Sequence, residues 1–165
     1  MENKTLILDN KQIKQKIMRI AFQILEVYDK SSELIIAGIA NNGYVFAEKL
    51  VETIKNVSDV EPKICKININ KKQPQDVPSI SLKADEYQNQ SFILADDVLN
   101  TGNTLIYAVK HLLETDLKIL KTAVLIDRSH KRFPIKADFK GISLSTSLHE
   151  TVKVTFGKDS KAELI

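Results

Sequence analysis

The segment Phe92–Thr104, Phe-Ile-Leu-Ala-Asp-Asp-Val-Leu-Asn-Thr-Gly-Asn-Thr, joins three kinds of sequence that together indicate the fold. Four consecutive apolar residues, Phe92 to Ala95, are typical of a strand buried on both faces of a mostly parallel sheet. Asp96 and Asp97 follow. Because neighbouring carboxylates repel each other and gain nothing from burial, we expect them where the strand leaves the sheet for a solvated crevice. Such a crevice is the usual ligand site of open α/β sheets.

The loop after the two aspartates has the composition of a phosphate site. Gly102 permits a tight or left-handed backbone in which successive N–H groups point to one place. Thr104 then opens a helical pattern, so the loop leads to a helix N-terminus, whose dipole favours an anion. The loop comprises Asn100, Thr101, Gly102, Asn103 and Thr104, and the helical pattern comprises Leu105, Ala108, Val109, Leu112 and Leu113.

Carboxylates for a sugar diol beside a cradle for its phosphate indicate that this segment binds a phosphorylated ribose. The alternative is an ordinary capped helix after a turn, with Thr101 or Thr104 as the N-cap and the aspartates incidental.

A second segment, residues 34–55, repeats the order of strand, small polar loop and helix. Leu34–Ile39 is apolar, and the pattern from Tyr44 to about Ile54 is helical. Between them lies a predicted tight turn made of Ala40, Asn41, Asn42 and Gly43. Two such units in one sheet place two anion-binding loops side by side at its carboxyl edge.

The rest of the chain supplies further elements of an α/β fold. Asp9 or Asn10 is predicted to cap a helix that runs through about Tyr28. Strands are predicted at residues 63–70, with Cys65 facing inward, and at residues 119–126. Two short alternating segments, 142–144 and 152–156, are expected to complete the edge of the sheet.

Residues 71–90 break the regular pattern. The segment is rich in Pro, Gln, Asp and Ser, with only Val77, Ile80 and Leu82 as an alternating apolar patch. Two interpretations stay open on these residues: a mobile loop or β-ribbon that closes over a site, or a disordered surface loop.

Length and composition predict one domain over residues 1–165. The hydrophobic fraction of 43% is ordinary for a globular protein, and the net charge of +3 is too small to indicate nucleic-acid binding. Cys65, the single cysteine, has no partner for an internal disulfide. The apolar runs are too short for a membrane span and the first residues lack a signal-peptide pattern, so we expect a cytoplasmic protein.

Two aspartates after an apolar strand, followed by Thr-Gly-x-Thr, resemble the PRPP-binding motif of the type I phosphoribosyltransferases. Residues 124–142, Val-Leu-Ile-Asp-Arg-Ser-His-Lys-Arg-Phe-Pro-Ile-Lys-Ala-Asp-Phe-Lys-Gly-Ile, resemble the matching part of the pyrimidine-operon regulator/uracil phosphoribosyltransferases. This resemblance implies a Rossmann-like, mostly parallel twisted sheet flanked by helices, with a small hood loop at about residues 71–90. It also implies assembly as homodimers or higher homo-oligomers.

The resemblance further implies an activity: transfer of phosphoribose from PRPP to a nucleobase, with uracil as the expected base and Mg²⁺ as cofactor. No metal ligand is assigned with certainty. PRPP would contact Asp96 and Asp97 through its ribose and residues 100–104 through its 5′-phosphate, and Asp97 is the candidate proton acceptor. The pyrophosphate would lie against Ala40, Asn41, Asn42, Gly43 and Lys71, and the base against backbone near Asp127 and Arg128.

The chain departs from the family pattern in both loops. Asn42 and Asn103 stand where the family usually has arginines, so two cations beside the leaving pyrophosphate are absent. Phe22 replaces a histidine of the family's RNA-facing region. The missing arginines favour an alternative function, a nucleotide-sensing RNA-binding regulator of pyrimidine genes with weak or no turnover, whereas Phe22 and the low net charge count against it. A third is a PRPP-binding protein that uses another base or acceptor.

Overall fold

The computed structural model describes residues 3–165 as an α/β fold with nine strands and four helices in that range. The helices are α1 Asn10–Val27, α2 Asn42–Val57, α3 Ala84–Tyr87 and α4 Asn103–Leu112. The strands are β1 Thr5–Leu8, β2 Leu34–Ile39, β3 Lys63–Asn68, β4 Ser79–Ile80, β5 Ser91–Leu99, β6 Ile119–Arg128, β7 Phe139–Leu144, β8 Val152–Thr155 and β9 Lys161–Leu164.

Six strands form the main sheet in the order β4-β3-β2-β5-β6-β7. All neighbours pair in parallel except β4, which runs antiparallel at one edge. One apolar core lies between this sheet and helices α1 and α2, and a second core lies between the sheet and α4. The central strands are covered on both faces, as their unbroken apolar runs predict.

The first helix begins where its capping residues predict. The Asp9 carboxylate accepts a hydrogen bond from the Gln12 backbone N–H at 2.8 Å, and Gln12 Oε1 accepts one from the Asp9 N–H at 2.9 Å. This reciprocal pair satisfies two backbone donors that a helix N-terminus otherwise leaves open. Helix α2 starts two residues earlier than predicted, at Asn42.

The prediction that the last strands complete the edge of the main sheet is wrong for residues 152–156. Strand β8 instead joins β1 and β9 in a separate three-stranded antiparallel sheet of order β1-β9-β8. The β1 strand was not predicted, because four residues at the start of a chain carry too little alternation to identify a strand. The two ends of the described chain thus meet in one small sheet.

Strand β5 also differs from its prediction, since it does not end at the aspartates. It continues to Leu99, and Asp96 and Val98 still pair with β6. Asp96 therefore lies within the paired part of β5, and only 7% of its surface is exposed.

Residues 71–90 contain regular structure. The segment includes β4, which pairs with the end of β3, and the single turn α3. Tyr87 at the end of this turn is buried, with its ring edge-to-face on Phe92 at 5.6 Å between centroids. The interpretation as a disordered loop is therefore wrong for this second half of the segment.

Cys65 is fully buried in β3, as predicted for a small apolar side chain. Among residues 3–165, none of the helices combines the length and the apolar character that a membrane crossing requires.

Candidate functional site

A cavity of about 270 Å³ opens at the carboxyl end of β5, beside the N-terminus of α4. It brings together all seven residues predicted for PRPP and adds Lys71 from the start of the 71–90 segment. Its lining comprises Lys71, Asp96, Asp97, Val98, Leu99, Asn100, Thr101, Gly102, Asn103, Thr104, Leu105 and Val152. The topology explains the position, because parallel strands direct their carboxyl ends to one edge of the sheet.

The loop at the head of α4 depends on Gly102. Its φ of +85° lies in the left-handed region that side chains disfavour, and an added Cβ would overlap Ile135. Gly102 is itself the N-cap, and no side chain caps the helix. The alternative with Thr101 or Thr104 as N-cap is therefore wrong, and the first turn of α4 keeps backbone donors for a ligand.

The two aspartates occupy different environments. Asp96 is buried and accepts a hydrogen bond from the Asp97 N–H at 2.9 Å, whereas Asp97 is half-buried and accepts one from Asn42 Nδ2 at 3.2 Å. Neither carboxylate forms a salt bridge with a residue of the described range. Burial raises the pKa of Asp96 well above its usual value, and the negative charge of Asp97 raises that pKa further.

The Asp96→Asn variant is expected to be more stable than the wild type at neutral pH. Between the pKa of an unfolded aspartate, about 4, and the raised folded pKa, the native state binds more protons than the unfolded state, so the free energy of unfolding falls as pH rises. Asparagine has nearly the same shape as aspartate but does not ionise, so the variant avoids this fall in the free energy of unfolding. We expect a Tm increase of roughly 2 °C or more at pH 7 that shrinks towards pH 4, measured by thermal unfolding across this range. A Tm gain independent of pH would contradict the assignment to Asp96 ionisation.

The first of the two predicted anion-binding loops, residues 40–43, lies directly behind the aspartates. A Cβ at Gly43 would be 2.7 Å from Asp96 Oδ1, so the loop approaches as closely as glycine allows. Asn42 Nδ2 bridges Asp97 Oδ2 at 3.2 Å and the Val154 carbonyl oxygen at 2.8 Å. The peptide bond between Ala40 and Asn41 is cis. The four residues predicted for pyrophosphate, Ala40 to Gly43, thus touch the site through Asn42 and Gly43, although they do not line the cavity itself.

The two residues predicted for the base lie beside the cavity and not in its lining. Asp127 forms ion pairs with Lys131 at 3.2 Å and Lys140 at 3.6 Å. Its Oδ1 atom is buried without a hydrogen-bond partner among the described residues. Arg128 is also buried, and its guanidinium donates to Asn100 of the loop 100–104 and to residues 146–150.

One element of the site and one contact within it were missed from the sequence. Strand β8 contributes Val152 to the cavity and the Val154 carbonyl to Asn42. Arg128 contacts Asn100 across 28 positions of the chain. No local signal marks either contact, because both arise from pairings that only the folded sheet creates.

The comparisons with known proteins agree with this geometry. The chain belongs to the phosphoribosyltransferase family, since residues 4–160 match the Phosphoribosyl transferase domain. Within the type I enzymes it is PyrR-like. It is 31% identical to the Bifunctional protein PyrR of Brevibacillus brevis, over 100% of this chain and 97% of that protein. It is 32% identical to the Bifunctional protein PyrR of Clostridium botulinum strain Eklund 17B, over 97% and 96%.

Solved structures share the fold at lower identity. A hypoxanthine-guanine phosphoribosyltransferase of Bacillus anthracis superposes with a TM-score of 0.73 at 20% identity, covering 87% of this chain and 85% of that one. The hypoxanthine phosphoribosyltransferase of Trypanosoma cruzi gives a TM-score of 0.73 at 17% identity, covering 90% and 84%. The Rossmann-like phosphoribosyltransferase fold predicted from the sequence is confirmed.

Proposed function

We propose that this protein transfers 5-phosphoribose from PRPP to a nucleobase, with uracil as the base and UMP and pyrophosphate as products. The observation that carries the proposal is the shared cavity of Asp96, Asp97 and the loop 100–104. In this cavity, carboxylates that can accept hydrogen bonds from hydroxyl groups lie next to backbone N–H groups that can donate to a phosphate. One short loop separates the two kinds of group. The resemblance of residues 124–142 to the pyrimidine-operon regulator/uracil phosphoribosyltransferases supports the choice of a pyrimidine.

In the proposed reaction, the bond between the anomeric carbon and pyrophosphate breaks, and a bond from that carbon to a ring nitrogen of the base forms. The half-buried Asp97 carboxylate binds a ribose hydroxyl and favours the positive charge that develops on the sugar ring. It also accepts the proton that the ring nitrogen loses. Lys71 lines the same cavity and contributes positive charge toward the departing pyrophosphate.

The residues present are compatible with Mg²⁺ that arrives on the substrate. Among the described residues, no group of three or more His, Cys, Asp or Glu side chains is arranged to hold a metal. Mg²⁺ commonly uses one or two carboxylates together with substrate phosphates and water, and Asp97, with Asp96 behind it, is such a pair. When bound, the ion would neutralise charge on the pyrophosphate.

The direct test is an assay of the purified chain with uracil, PRPP and Mg²⁺. We expect release of pyrophosphate and formation of UMP, with slower or no release when hypoxanthine, guanine or cytosine replaces uracil. Absence of pyrophosphate release with every base would refute the enzymatic proposal. Release with hypoxanthine or guanine alone would keep the reaction and overturn the choice of uracil.

Asn103→Arg is expected to increase kcat/KM for PRPP by about tenfold, because a charge-assisted hydrogen bond to phosphate contributes about 1.5 to 3 kcal/mol. Asn103 lines the cavity, and its side chain has no hydrogen bond within the described structure. Steady-state kinetics of this variant and of Asn103→Gln, which lengthens the side chain without adding charge, measure the effect. An equal rise in both variants would contradict the electrostatic explanation.

The second candidate is a nucleotide-sensing RNA-binding regulator with weak or no turnover. Asn42 and Asn103 favour it, since neither loop provides an arginine for pyrophosphate. Binding of UMP without pyrophosphate release, together with salt-sensitive binding to a pyrimidine-operon leader RNA, would select it. Assembly as dimers or higher oligomers stays a prediction, which sedimentation equilibrium tests.

A further inference from the structure

The contact between Arg128 and Asn100 fixes the orientation of a side-chain amide in the cavity. Arg128 Nη1 lies 2.9 Å from Asn100 Oδ1. A guanidinium carries only hydrogen-bond donors, so the Asn100 atom that faces it must be the carbonyl oxygen. The amide nitrogen Nδ2, with its two N–H groups, is left for other partners.

Arg128 does not depend on Asn100 for its own position. Its Nε donates to Thr146 Oγ1 at 3.0 Å, and its Nη2 donates to the same oxygen at 2.7 Å and to the Glu150 carbonyl at 2.7 Å. The residue is 8% exposed and ends strand β6, where it pairs with Leu144 of β7. The guanidinium is therefore a fixed donor around which the Asn100 amide orients.

Asn100 lies at the cavity. It is exposed, belongs to the cavity lining and is the first residue of the loop 100–104. Its Nδ2 has no hydrogen-bond partner within residues 3–165, whereas its Oδ1 is occupied. The side chain thus keeps two unpaired N–H donors for whatever enters the cavity, while its carbonyl oxygen is held by Arg128.

We propose that Arg128 is a positioning residue that makes Asn100 a hydrogen-bond donor to an oxygen atom of the substrate. That oxygen belongs either to a phosphate of PRPP or to a ring carbonyl of the base. The inference rests on the proposed function and adds to it: Asn100 recognises an acceptor, and it cannot take the proton that the base loses. The end of β6 therefore acts on the site through the Asn100 amide.

The first variant is Asn100→Asp, which keeps a partner for Arg128 as an ion pair and removes the donor. We expect an unchanged or higher Tm and a loss of substrate affinity of at least about tenfold. Isothermal titration with PRPP and Mg²⁺, and the KM for uracil, identify the oxygen. A weaker PRPP affinity assigns a phosphate, and an unchanged PRPP affinity with a raised KM assigns the base carbonyl. Unchanged values for both would overturn the proposal.

The matched control is Ser145→Ala. Ser145 is the exposed neighbour of Thr146, and its hydroxyl lies 3.3 Å from Ser129 Oγ and is not hydrogen-bonded to Arg128 or Asn100. We expect less than a twofold change in PRPP affinity and in the KM for uracil. A loss as large as that of Asn100→Asp would overturn the assignment of the effect to the contact between Arg128 and Asn100.

A double-mutant cycle separates positioning from structural support. Arg128→Gln is expected to weaken substrate binding about tenfold in the wild-type background and less than twofold in an Asn100→Ala background. Equal losses in both backgrounds would overturn the positioning role. A wild-type chain that binds no PRPP would instead refute the proposed function, so the two failures are distinguishable.

Discussion

Asp97→Asn is expected to lower kcat/KM for phosphoribosyl transfer about 100-fold or more. The Asp97 carboxylate is the half-buried acid of the cavity, and Asn42 Nδ2 holds its Oδ2 at 3.2 Å. Asparagine has the same size but carries neither the negative charge that stabilises the sugar cation nor a site for the proton of the base. Steady-state kinetics with PRPP and uracil measure the change.

Asp59→Asn serves as the control for this variant. Asp59 is exposed between α2 and β3, at the opposite edge of the parallel sheet, and we expect its replacement to leave kcat/KM within twofold. An Asp97→Asn enzyme with wild-type kinetics would show that this carboxylate does not act on the reacting sugar.

Gly38→Ala is expected to destabilise the protein by about 3 kcal/mol. A Cβ at Gly38 would overlap the Gly43 carbonyl oxygen and the Tyr44 Cα. These are backbone atoms at the start of α2. Relieving the overlap therefore requires that helix α2 and the loop of residues 40–43 move away from β2. Urea denaturation of variant and wild type measures the difference.

Gly157→Ala provides the comparison, because nothing lies within 4 Å of its added Cβ. We expect its free energy of unfolding to stay within about 0.5 kcal/mol of the wild type. A Gly38→Ala protein as stable as Gly157→Ala would mean that β2 and α2 do not approach as closely as described.

The local sequence was sufficient to predict strands β2, β5 and β6 and helix α1. The strands follow from their apolar runs, and the helix follows from its apolar spacing and the Asp9 cap. All of these are properties of neighbouring residues. The seven residues predicted to bind PRPP were expected to lie together for the same reason, since they are almost consecutive and join a strand to a helix. The structure places them in one cavity.

Long-range pairing could not be predicted in this way. The small sheet joins β1 to β9 across almost the whole chain, and Asn42 reaches Val154 across 112 positions. Four-residue strands carry weak alternation, so their partners are determined by the tertiary fold. The burial of Asp96 was missed because pairing with β6 extends β5 beyond its apolar run.

We propose that PRPP binds with its ribose at the aspartates and its 5′-phosphate at the loop that follows. The most direct measurement is a titration of the ¹⁵N-labelled protein with PRPP and Mg²⁺, followed by amide NMR shifts. We expect saturable shifts concentrated in residues 96–104, which Asp97→Asn weakens and Asp59→Asn does not. Shifts that are absent, or that fall on residues away from this cavity, would contradict it.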